Sequence, residues 1–134
     1  MQRSSRPGSL IQDPLPARLG AALALLAVAL GAFGAHALRG MLEPSALDTY
    51  ETAVRYQMYH ALGLLGVGAL RVHGRGPAWL LFFGSVVFSG SLYLLVWTSV
   101  DWLGAITPIG GVMQLAGWAW LLFALGRSSP IEGG

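Results

Sequence analysis

Residues 31–62, GAFGAHALRGMLEPSALDTYETAVRYQMYHAL, decide how the chain is read, because an apolar helix ends here and a helix with a polar start begins. Arg39 and Gly40 interrupt the apolar run, and glycine commonly ends a helix. Ser45-Ala46-Leu47-Asp48 has the S-x-x-D form of a capping box and predicts a second helix from about Ser45. The stretch holds two of the three histidines, His36 and His60, and three of the six acidic residues, Glu43, Asp48 and Glu51. Any chemistry is expected here.

Upstream, residues 19–38 form an uncharged run of the ~20 residues a helix needs to cross ~30 Å of hydrocarbon. Ala35-His36-Ala37 has the small-x-small form of a cleavage site, but signal cores are only ~7–15 residues long and three more runs follow. A retained crossing is the better reading. On a helical wheel Gly20, Ala24, Ala27, Gly31 and Gly34 share one side, a packing face, because spans in lipid associate through close backbone approach. Residues 1–17, with three prolines and little periodic apolar content, are predicted to form a disordered or interfacial tail.

Composition sets the solvent. The chain is 54% apolar and 10% charged, against ~25% charged in soluble domains. Its mean hydropathy of +0.61 points the same way. All eight basic residues are arginine, scattered over termini and connections, which argues against nucleic-acid binding. With no cysteine there is no disulfide and no thiolate ligand for a metal.

Downstream, the second helix carries Thr49, Ala53, Tyr56, Gln57 and His60 on one side and Glu51 with Arg55 on the other. Polar groups at bundle depth must be satisfied inside the protein, so the first set is expected to face sibling helices or a small wet cavity. Glu51 and Arg55 stand four apart with the acid first, the favourable order for an interfacial ion pair. The alternative is that Arg55 grips a lipid phosphate. Two further spans follow, in which Ser85 and Ser89 share a face of the third, and Thr107, Gly110, Gln114, Gly117 and Leu121 align on the fourth. Either Thr107 caps the fourth span or Pro108 kinks it.

The expected fold is therefore all-α, an integral membrane four-helix bundle of up-down topology with spans at about 19–38, 50–70, 78–97 and 105–125 within a domain at 18–126, then a short tail at 127–134. Arg3, Arg6, Arg18, Arg71, Arg75 and Arg127 fall on one side of such a threading, and Arg39 and Arg55 on the other. The positive-inside rule then gives N-in/C-in.

GAFGAH in the first span, TAVRYQMYHAL in the second, FSGSLY in the third and TPIGG followed by GW in the fourth resemble the membrane proteins grouped as domain of unknown function 423. Their eukaryotic relatives are called transmembrane protein 256-like. The likeness runs over residues 20–122 in order and spacing. It implies four helices and a bacterial inner-membrane address, and it carries over no catalytic residue.

Three functional readings follow from the residues. His36 and His60 invite a metal or bis-histidine haem, but a lone intramembrane histidine more often bonds between helices, and no acidic second shell lies within the spans. No cofactor or metal is expected. A proton or small-solute pathway would use His36, Tyr56, Gln57, His60 and Gln114, though no Asp or Glu lies mid-span. The favoured reading is a structural or accessory subunit whose partners are the bilayer and a larger membrane complex or further copies of itself. No hydrolase triad, H-E-x-x-H or phosphate loop is present, so no enzyme is expected.

Overall fold

The computed structural model describes residues 8, 10–70 and 72–127. Expectations for 1–7, for Ser9, for Arg71 and for 128–134 lie outside the described residues. The structure is all-helical. α1, Pro14–Phe33, runs on through a single π turn, Gly34–Leu38. α2 is Pro44–Ala69, α3 is Gly76–Thr98 and α4 is Leu103–Gly126. Gly40 closes the turn after α1 at φ 104°, a conformation that favours glycine.

The helix ends correct three expectations. α1 begins at Pro14, so the end of the supposed tail is helical. Asp13 caps it, Oδ1 accepting from the Leu15 amide at 3.1 Å, and Pro14 needs no donor in the first turn. The amides of Gln12 and Asp13 donate to the Gly68 carbonyl, docking this segment on the end of α2. α2 starts at Pro44 with Glu43 before it and no side-chain cap; Thr49 and Thr52 instead bond back to the carbonyls of Ser45 and Asp48. Proline is pre-organised for the first helical position, so the helix starts one residue before Ser45 and places it inside the first turn rather than at the cap. α4 starts at Leu103, because the turn at Asp101 and Trp102 rolls directly into helical hydrogen bonds, leaving Pro108 inside the helix and Thr107 no cap.

Arg75, just before α3, closes a two-bond ion pair on Asp13, Nε to Oδ2 at 2.8 Å and Nη2 to Oδ1 at 3.1 Å. The Arg75 guanidinium, then the Leu15 amide, hold the Asp13 carboxyl below its ordinary value. A depressed carboxylate contributes stability that is present above its unfolded value near pH 4 and is lost as pH falls through the folded value. We expect protection of the Leu15 amide in hydrogen exchange to fall below about pH 4, and Asp13→Asn to remove most of that dependence.

Neighbouring helices run antiparallel. A Cβ on Gly20 would meet the Ala61 carbonyl and Leu65 amide, and one on Gly34 would meet the Tyr50 ring. Gly84, Gly110 and Gly117 bring α3 and α4 together in the same way, against Gln114, Phe88 and Leu81. Leu23, Ala61, Leu64, Val67, Ala78, Leu81 and Leu121, one or more from each helix, form the apolar core where α2 ends and α3 begins. The bundle is open. α1 packs on α2, α2 on α3 and α3 on α4, while among the described residues the α4 backbone stays beyond 8 Å (Cα to Cα) from α1 and α2. α1, α3 and α4 are each long and apolar enough to cross a membrane.

Candidate functional site

The polar groups of α2 centre on Gln57. It is 5% exposed, its Nε2 donates to the Leu23 carbonyl of α1 at 2.9 Å, and its Oε1 accepts from the Tyr93 hydroxyl of α3 at 2.9 Å. One side chain thus ties three helices. One turn earlier, Ser89 of α3 donates to the Ala53 carbonyl at 2.7 Å. Tyr50 lies under these groups: it is fully buried, its ring sits tilted at 5.3 Å from that of Tyr93, and its hydroxyl donates to the Leu30 carbonyl at 2.7 Å. Between α3 and α4, Ser91 and Thr107 share a hydrogen bond of 2.7 Å.

His60 is held at both ring nitrogens. Nδ1 stands 2.7 Å from the Tyr56 carbonyl and Nε2 stands 3.2 Å from Trp118 Nε1. A carbonyl only accepts and an indole N–H only donates, so Nδ1 carries the proton and Nε2 is bare. The imidazole is a neutral latch between α2 and α4. Gly63 makes this possible, since a Cβ there would stand 2.6 Å from the Trp118 ring.

The structure does not gather all five expected seam residues. Gln57, His60 and Gln114 are buried; Tyr56 is 41% exposed and lies across Phe88; His36 is exposed in the π turn, apart from the others. His36 points away because Gly34 and Leu38 take the inward positions of that turn. Among the described residues no group of three His, Asp or Glu could hold a metal. Glu51 and Arg55 form the expected ion pair at 3.1 Å, beside a cleft of about 170 Å³ lined by Gly31, Gly34, Ala35, Tyr50 and Val54.

Among the described residues two buried polar atoms lack a protein partner, Ser85 Oγ on α3 and Gln114 Nε2 on α4. A buried donor without an acceptor costs about 1–3 kcal/mol, whereas an apolar group of the same shape does not. Gln114→Met is therefore expected to leave the melting temperature unchanged or to raise it, measured by thermal unfolding in detergent.

Sequence reasoning missed Tyr93, Trp118, Tyr50 and the Asp13–Arg75 pair. The Asp-Pro-x-Pro run at 13–16 carried a helix-start signal that composition obscured. Nothing local marks Tyr93 or Trp118 as inward, because their partners lie on other helices.

Long apolar antiparallel helices, fastened by a few buried hydrogen bonds, define a small all-helical membrane protein. A family model described as "Protein of unknown function (DUF423)" matches residues 30–111. UPF0382 membrane proteins of Staphylococcus epidermidis and Bacillus subtilis are 52% and 50% identical to this chain over 110 and 112 residues. These matches cover 79% of this chain and 90% and 91% of the relatives. The chain belongs to this DUF423 (UPF0382) family of membrane proteins. No solved structure matches it.

Proposed function

We propose that the chain crosses a bacterial inner membrane four times, with both termini cytoplasmic, and serves there as a structural or accessory subunit of a larger membrane assembly. The arginine asymmetry supports the orientation. α2, at 26 residues, is about 39 Å long, enough for the crossing, and its mid-helix amide, Gln57, is buried against α1 and α3. The observation that carries the role is that the α2 seam is closed on itself. Gln57 and His60 use their side-chain donors and acceptors within the bundle, leaving little for a solute. The open edge between α1 and α4 leaves two helix flanks for a partner. Solubilisation in mild detergent followed by native electrophoresis of a tagged chain tests this. A defined high-mass species is expected, and recovery of the bare monomer alone overturns it.

The orphaned Ser85 and Gln114 atoms favour a second reading, a proton or small-solute pathway through the α3–α4 side of the seam. In proteoliposomes this reading requires a flux that Gln114→Met or His60→Ala abolishes. Unchanged flux removes it.

A further inference from the structure

A cleft opens between the end of α1 and the start of α2, away from the Gln57 and His60 contacts. Its apolar walls are Gly31, Gly34, Ala35 and Val54, and Glu51 and Arg55 stand at its edge. Gly31 lies seven residues before the end of the π turn at Leu38, about 10 Å along the axis, so the cleft opens near the end of that crossing. The Arg55 and Glu51 side chains are 58% and 38% exposed. Only Arg55 Nη2 is engaged, with Glu51 Oε2, among the described residues. A guanidinium carries five N–H donors, so most of the bonding capacity of Arg55 is unspent. The volume, about 170 Å³, far exceeds the ~30 Å³ share of one water and suits a polyatomic group.

We propose that this cleft binds a phospholipid whose headgroup bears a phosphate and a primary ammonium. Arg55 takes the phosphate with its free donors, Glu51 accepts from the ammonium, and an acyl chain lies along the glycine-lined floor. The zwitterionic pair on the helix matches a zwitterion of opposite order on the lipid. An anionic glycerol headgroup would bring Glu51 no cation beyond Arg55, and a quaternary ammonium would offer it no hydrogen bond.

Native mass spectrometry of the full chain, released from nanodiscs containing equal amounts of phosphatidylethanolamine, phosphatidylglycerol and phosphatidylcholine, tests the assignment. The ethanolamine lipid is expected to be retained about tenfold over the others, the factor that one charge-assisted hydrogen bond supplies. Arg55→Gln should lower that retention about tenfold, and Glu51→Gln should erase the preference over phosphatidylglycerol. Ala35→Phe, which fills the cleft from an exposed position without touching either charge, should also abolish retention and keeps the test valid if Arg55→Gln does not fold. Equal retention of the three lipids by the wild-type chain, or an Ala35→Phe variant that holds phosphatidylethanolamine as before, overturns the proposal. So does displacement of the lipid by millimolar inorganic phosphate, which would show that the acyl chain plays no part.

Discussion

Gly110→Ala is expected to destabilise the protein by about 3 kcal/mol or more, a fall on the order of 10 °C in melting temperature in detergent, while Gly111→Ala one residue on changes little. A Cβ at Gly110 would enter the backbone of α3 at the Phe88 amide and stand 2.8 Å from the Gly84 carbonyl. Backbone within a helix cannot rotate aside as a side chain can, so relief requires α3 and α4 to separate. That separation would also pull apart the Ser91–Thr107 bond and the contact of Gly117 with Leu81. At Gly111 the nearest atom is a Phe88 ring carbon at 3.8 Å, an ordinary contact. Both substitutions add one methyl and both favour helix, so propensity cancels between them and the difference reports the close approach alone. Equal melting temperatures would show that α3 and α4 do not meet at Gly110.

The second large effect is expected at Gln57. Gln57→Leu removes the bonds to the Leu23 carbonyl and from the Tyr93 hydroxyl at once, leaving the hydroxyl half-buried without its acceptor. The cost should be about 2–3 kcal/mol, at the upper end for hydrogen bonds between membrane helices, because three helices share the one side chain. Tyr93→Phe alone should cost about 1 kcal/mol, since Gln57 keeps its bond to α1. In the double variant the two losses should overlap by about 1 kcal/mol, a coupling that independent sites would not show. Thermal or denaturant unfolding of the four proteins in one detergent measures it. A Gln57→Leu variant as stable as the parent would mean the amide contributes nothing to holding α1, α2 and α3 together.

These two residues differ in how far they could be read in advance. Gly110 aligns with Gln114, Gly117 and Leu121 at helical spacing, and that alignment is the face buried against α3. The stripe at Gly20, Ala24, Ala27, Gly31 and Gly34 foretold in the same way which side of α1 meets α2, with Ala24 only partly buried at its edge. Gln57 was legible as a group that must turn inward, but not as the joint between Leu23 and Tyr93, which lie 34 and 36 residues away.

By itself the sequence determined that the chain is helical, that its solvent is lipid, and which side of each helix is small or polar. Those properties are local: they follow from composition over about twenty residues and from the angle between successive side chains. Only the tertiary structure decided that His36 stands outside the seam, that Tyr50 lies within it, that Asp13 meets Arg75, and that α4 leaves the bundle open toward α1. Each of these depends on the distance between groups far apart in the chain, set when whole helices slide and rotate until their glycines and hydrogen bonds match, and no window of sequence contains that distance.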